Sequence, residues 1–307
     1  MFRVAVIGAG QFGQNHCRVV RQSARAELTA VVDIDPQRAP IADYRELDGK
    51  VDAAIVATPT SSHAEIGGWL LDHGIDVLIE KPMAPDLESA DRLIAAAERS
   101  GRILQVGHLE RFNPAVMALE SRITIPLFFE IHRLSVFSPR SLDVDVILDL
   151  MIHDIDIILS FTQAEPEEIR AAGVSILSPK VDIANARLQF PNGCVANLTA
   201  SRVSTERVRK LRLFQPQQYV SLDYARQDAV VYSVHDGHVG FDALPVAKSE
   251  PLGLQLDAFL NSVESRKSPK TSGRTARQTL RVALSILDKI KEHSEIVSQS
   301  LASGWKP

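Results

Sequence analysis

The chain has 307 residues, 45% hydrophobic and 23% charged, with a net charge of −4 and a sequence pI of about 6.2. That length can bury a large core and hold two domains, and the mildly acidic balance offers no field for nucleic acid. Two distant cysteines, Cys17 and Cys194, argue against a disulfide framework or structural zinc and for a reducing compartment; no signal-like stretch or membrane-length apolar run appears, so a cytoplasmic protein without a membrane partner is expected.

Through the first third, "RVAVI", "LTAVV", "DAAIVA", "DVLI" and "ILQV" read as strands alternating with helical patterns, which implies βαβ units and a parallel sheet. "VAVIGAGQFG" places Gly8, Gly10 and Gly13 as GxGxxG between a strand and a helix, with Gln11 and Phe12 inside the motif. The first glycine permits the turn, the second lets a pyrophosphate approach the backbone, the third packs helix on strand, and the helix start attracts the anion. Twenty residues on, Asp33 ends the second strand, where a carboxylate accepts from ribose hydroxyls and repels a 2′-phosphate. NAD is therefore the expected cofactor.

The next strand ends in Thr58, Pro59 and Thr60 at the carboxyl edge of the sheet, where ligands of such folds sit. An ordinary strand-to-helix loop explains these residues equally well, and His63 reads as either a helix-entry residue or a cofactor neighbour. Glu80, Lys81 and Pro82 follow the fourth strand at that edge. Residues 86–100 read as a helix capped by Asp86 and stopped by Gly101. Arg111 and Asn113 read as donors to cofactor or substrate, or else as a linker, with Asn113 capping a helix that starts at Pro114.

After about residue 115 the pattern changes to strand-like runs, including a hairpin around Asn192 and Gly193 that suits a type I′ turn. The expected fold is thus α/β: a Rossmann doubly wound parallel sheet over 1–115, then an α+β domain on a mainly antiparallel open sheet over 116–307. Within the latter, "ILDLMIHDIDIIL" is an apolar run holding Asp149, His153, Asp154 and Asp156. At about 100° per residue, Asp145, Asp149, His153 and Asp156 share one sector of a helix. Such a stripe lines a cleft, binds something, or pairs internally, because an unpaired buried ionisable group is costly. His153 and Asp156 are spaced to ligate a metal, but no third ligand cluster accompanies them, so no metal is expected. "SRVSTERVRKLR" crowds Arg202, Arg207, Arg209, Lys210 and Arg212, either a diphosphate site or a basic strand edge facing water. A last helix is expected over 273–292.

The Glu80-Lys81-Pro82 segment, together with the glycine motif, resembles the glucose-fructose oxidoreductase, inositol dehydrogenase and rhizopine catabolism (Gfo/Idh/MocA) family. That resemblance implies an NAD-dependent dehydrogenase acting on CH–OH, in which Lys81 reaches the reactive carbon and the bond to Pro82 is commonly cis. It also implies Glu80 at the cofactor, and Asp149 and His153 as an Asp-x-x-x-His pair facing the nicotinamide, with His153 as base. Members often carry glycine where this chain has Met151. Homodimers or homotetramers packed through the sheet are implied as well. "VGHLERFNPAVMAL" and "DVDVILDLMIHDIDIIL" look like the branch that oxidises the 3-hydroxyl of UDP-N-acetylglucosamine. A small-molecule partner is therefore expected: that nucleotide sugar, with Arg111, Asn113 and Arg202 as its contacts, or another sugar or polyol such as inositol. A non-catalytic NAD-binding regulator is the reading from a different class.

Overall fold

The computed structural model describes residues 1–138, 144–235 and 238–302. Its amino-terminal part holds β1 (Phe2–Ile7), α1 (Gln11–Gln22), β2 (Ala26–Val32), β3 (Ala53–Val56), α2 (Thr60–Asp72), β4 (Asp76–Ile79), α3 (Leu87–Ser100) and β5 (Leu104–Val106). The five strands are parallel in the order β2-β1-β3-β4-β5. Every residue of β3 and β4 is buried, which is why these strands read as continuous apolar runs: a parallel sheet is covered on both faces. The expected ends of α3 are found, with Asp86 accepting the Ser89 amide at 2.7 Å and Gly101 at φ +62°.

The later elements are α4 (Pro114–Glu120), β6 (Phe128–Val136), a π-turn at Ile147–Met151, α5 (Ile152–Thr162), β7 (Glu168–Val174), β8 (Ile183–Gln189) and β9 (Val195–Ser204). There follow β10 (Val208–Gln215), β11 (Gln218–Asp223), β12 (Asp228–His235), β13 (His238–Ala243), α6 (Pro251–Ser265) and α7 (Gly273–Ala302). An eight-stranded sheet runs β13-β12-β11-β10-β6-β9-β8-β7, antiparallel except between β6 and β9. Strand alternation sets its two faces: Phe129, Ile131 and Arg133 of β6 are buried, while His132 is exposed. Phe129, Ile131, Leu198 and Leu211 form one core with Ile155 and Ile158 of α5 and with Val282 and Ile286 of α7.

The expected fold class is the one found. The chain divides into two compact units, Met1–Phe112 with Ser249–Gln278, and Asn113–Lys248 with the chain from Thr279 onward. A continuous second domain over 116–307 is thus corrected: α6 returns to the first unit, where Leu256, Phe259 and Leu260 pack with Val4, Val6 and Ile55. Two local expectations also change. At the hairpin only Gly193 has a positive φ, +81°, and its amide bonds the Phe190 carbonyl, so the turn is not type I′. The last helix continues past 292 to Ala302. Among the described residues, no helix is long and apolar enough to cross a membrane.

Candidate active site

The glycine loop after β1 is built for close approach. Gly8 has φ +91°, and a Cβ there would lie 2.6 Å from the Ala57 carbonyl oxygen; one on Gly13 would lie 1.7 Å from the Gly8 oxygen. Over Gly10 the nearest atom is Arg38 Nη1 at 3.9 Å. Two glycines therefore permit the turn and the helix packing, and the third leaves the backbone open. Gly10 precedes α1, and no side chain caps that helix among the described residues, so its first amides suit a pyrophosphate. Asp33 is held beside the loop, accepting the Ala9 amide on Oδ2 at 2.7 Å and the Asp35 amide on Oδ1 at 2.9 Å. A carboxylate offers about four lone-pair sites, and those not used by the two amides suit ribose hydroxyls. Gln11 and Phe12 are exposed at the start of α1. These residues fit a dinucleotide.

Thr58 and Pro59 join β3 to α2 at the carboxyl edge, Thr58 half-buried and Pro59 exposed. His63, read as a helix-entry residue or a cofactor neighbour, is held by backbone groups on two sides. It is 1% exposed, with Nδ1 2.9 Å from the Pro82 carbonyl and Nε2 2.9 Å from the Thr58 carbonyl. Burial pushes its imidazole below the ordinary value, against the two carbonyls and the Glu80 carboxylate, which raise it. Glu80, implied at the cofactor, is buried, meets His16 Nε2 at 2.8 Å and accepts the Lys81 amide at 3.3 Å. Lys81 is half-buried, and its bond to Pro82 is cis.

In the second unit the regular helix expected over the apolar run is a π-turn leading into α5, shown by the Ile152 amide bonding the Ile147 carbonyl. Most carboxylates of this run have partners within the fold. Asp145 accepts the Val181 amide at 2.9 Å and Asp156 the Thr279 hydroxyl at 3.2 Å. Asp154 grips the buried Arg133 through two contacts of 2.7 Å. Asp149, in the π-turn, and His153, in the first turn of α5, are both half-buried. Met151 is fully buried in the core, so the glycine often found there in the family would leave a void in the packing. Among the described residues, no group of three or more His, Cys, Asp or Glu is placed to hold a metal.

Two of the expected substrate contacts have structural duties. Asn113 is 3% exposed, accepts the Ala115 amide as the cap of α4 at 3.1 Å, and donates to the Tyr224 carbonyl at 3.0 Å. Arg202 is 5% exposed, donates to the Val144 carbonyl, and lies 3.7 Å from Asp182. The basic run is split between faces: Lys210 and Arg212 point outward, Arg212 onto Glu130 at 2.8 Å, while Arg209 shares the parity of buried Leu211 and Leu213. Arg111 is half-buried on a 3-10 turn. Residues not foreseen include His16, Arg133 and Asp182. Burial pushes the Asp182 carboxyl up, but the Ser178 hydroxyl and the amides of Ile176, Leu177 and Ser178 outweigh it and hold it at about 2. The signal for Arg133 was its inward parity in "FFEIHRLSV"; for His16 it was its position one turn after Gly13.

Residues 2–108 match the model of an oxidoreductase family with an NAD-binding Rossmann fold, and residues 121–216 match the Gfo/Idh/MocA carboxy-terminal domain. The UDP-N-acetylglucosamine 3-dehydrogenase of Acidithiobacillus ferrooxidans is 36% identical over 92% of this chain and 96% of its own. Its crystal structure superposes with a TM-score of 0.90, at 35% identity, over 95% of this chain and 98% of that one. An inositol 2-dehydrogenase of Arthrobacter sp. is 33% identical over 62% of this chain and 60% of its own. With the open glycine loop, the placed Asp33 and both family domains matched in order, the chain is an NAD-binding oxidoreductase of the Gfo/Idh/MocA family.

Proposed function

We propose that this protein oxidises the 3-hydroxyl of UDP-N-acetylglucosamine to the 3-keto sugar with NAD as acceptor. The observation that carries the reading is the 36% identity with the 3-dehydrogenase over 92% of the chain, whereas inositol dehydrogenases reach 33% over 62% of it or 23–24% over 96%. Gly8, Gly10, Gly13 and Asp33 hold the dinucleotide, with Gln11, Phe12, Thr58 and Pro59 along the same edge. Bound NAD supplies the hydride acceptor. Lys81 donates from Nζ to the sugar 3-oxygen, where charge builds as the hydroxyl proton leaves. His153 takes that proton on its neutral imidazole, the side chain most often used as a general base. Asp149, four residues earlier, orients the hydroxyl or the ring, and Arg111 donates to substrate or cofactor. The carbon loses a hydride, the oxygen a proton, and a second C–O bond closes the balance. The NAD requirement and two buried free cysteines suit a cytoplasmic enzyme.

Incubation with NAD and either UDP-N-acetylglucosamine, UDP-N-acetylgalactosamine or myo-inositol, followed by NADH absorbance, tests the substrate. Reduction with UDP-N-acetylglucosamine and a 3-ketone in the product is expected. Turnover of inositol alone would replace this substrate with a polyol, and NAD binding without any turnover would favour a regulator.

We further propose that the enzyme is a homodimer or homotetramer built on the outer face of the eight-stranded sheet. Phe128, Phe214, Tyr219, Tyr232 and Phe241 are opposite one another across five strands, with ring centroids 4.9–5.7 Å apart. Phe214, Tyr232 and Phe241 are 38%, 38% and 66% exposed. A contiguous aromatic row of this kind marks an association surface, and a second copy brings the same row. Sedimentation is expected to give a multiple of the chain mass, reduced by Phe214→Asp; a monomer at micromolar concentration would refute the assignment.

A further inference from the structure

The backbone on each side of Lys81 is fastened by a buried histidine. On the amino side, Glu80 Oε1 meets His16 Nε2 of α1 at 2.8 Å, while Oε2 accepts the Lys81 amide at 3.3 Å. Gly107 makes room for this carboxylate: a Cβ there would lie 2.7 Å from Glu80 Cδ. On the carboxyl side, the Pro82 carbonyl meets His63 Nδ1 of α2, and the opposite nitrogen of that ring meets the Thr58 carbonyl, each at 2.9 Å. His16 and His63 are 2% and 1% exposed. Leucine or methionine would fill such space without the desolvation cost of a polar ring, so packing alone does not call for imidazoles. Their hydrogen bonds do: His16 meets a buried carboxylate and neutral His63 donates from one ring nitrogen to one of its two carbonyls, and such buried groups are costly to leave unmatched.

The two rings also sit on informative elements. His16 belongs to the helix that opens at the glycine loop, where it forms a T-shaped pair with the Phe12 ring, centroids 5.3 Å apart. His63 belongs to the helix that opens at Thr58 and Pro59. Each therefore joins an element at the cofactor edge to a residue next to Lys81. We propose that His16 and His63 are positioning residues for Lys81, fixing through Glu80 and the Pro82 carbonyl the point from which its ammonium reaches. The proposal deepens, and rests on, the reading of Lys81 as the group that acts on the sugar oxygen.

His63→Leu is expected to lower kcat about 10- to 100-fold, the scale at which misplacement of about 1 Å acts. NAD affinity and the sugar KM should stay within about threefold, and His63→Gln, which can keep one hydrogen bond, should recover part of the loss. In a Lys81→Met background the same change should have no further effect, since it acts through the lysine. A second readout needs no substrate: labelling of Lys81 by an amine reagent, read by peptide mass spectrometry against exposed Lys50 and Lys248. It should accelerate in His63→Leu and in His16→Leu while circular dichroism stays unchanged. Losses that multiply in the double variant, or Lys81 labelling that matches the parent in both folded variants, would overturn the proposal. If His63→Leu does not fold, His63→Gln carries the same readouts. Lack of turnover with UDP-N-acetylglucosamine defeats the substrate reading, whereas the labelling result decides the positioning role by itself.

Discussion

Lys81→Ala is expected to lower turnover by about 10²- to 10³-fold while NAD affinity stays within about twofold, because removing one preorganised donor to a developing oxyanion has that effect. The sign follows from where charge appears. The hydroxyl oxygen is neutral in the bound sugar and gains negative charge only as its proton departs, so an ammonium contributes more to the transition state than to binding. A fall in kcat with little change in sugar KM is the corresponding kinetic signature. Lys81→Arg should not restore the rate, since a planar guanidinium on a different stem places its donors elsewhere. Steady-state NADH production and a calorimetric NAD titration check both halves. Unchanged turnover would remove Lys81 from the chemistry, and equal losses of turnover and NAD affinity would make it a cofactor ligand.

The cofactor half of this argument was legible in the sequence because each feature there is local. The glycines sit within six residues, strand and helix flank them, and the close contacts of Gly8 and Gly13 depend on that short span. The regular helix expected over 145–159 was missed in an equally instructive way. Hydrophobic periodicity cannot register a single widened turn, yet the π-turn at Ile147–Met151 shifts the angular position of everything after it. Nor does a carboxylate announce its partner when that partner lies far off in sequence: Asp154 finds Arg133, and Asp156 finds Thr279, only once sheet and helices are stacked. Arg202 is the same lesson in a strand. Its sequence neighbours suggested a basic surface, whereas its place at the end of β9 buries it against Asp182 and the Val144 carbonyl. Asn113 shows the opposite case, since a cap followed by proline is a local signal, and the local reading was the sound one. Likewise the return of 249–278 to the first unit is a non-local event that no change of composition marks.

Asp154→Ala is expected to cost about 3–5 kcal/mol of stability, because it breaks a buried ion pair held by two hydrogen bonds and leaves the Arg133 charge less compensated. Arg133 is 1% exposed, bonds Asp154 through Nε and Nη2, and stacks its Cζ 5.0 Å from the centroid of the Tyr224 ring. The aromatic face favours the cation but does not replace a carboxylate, so the deletion exposes the desolvation cost. At about 2–4 °C per kcal/mol for a domain of this size, melting should fall by roughly 10 °C, measurable by circular dichroism. Replacing both partners with apolar residues, Arg133→Met with Asp154→Leu, should restore most of that loss, since a buried pair exchanged as a whole is often neutral. Activity separates stability from placement. Asp154 adjoins His153 on α5, and its grip on β6 fixes the rotation of that helix about its axis. The apolar double replacement should therefore melt near the parent temperature yet turn over more slowly, with the sugar KM little changed. Parent-like turnover in the double variant would show that Arg133 and Asp154 serve stability alone, and parent-like melting of Asp154→Ala would show that water reaches the guanidinium.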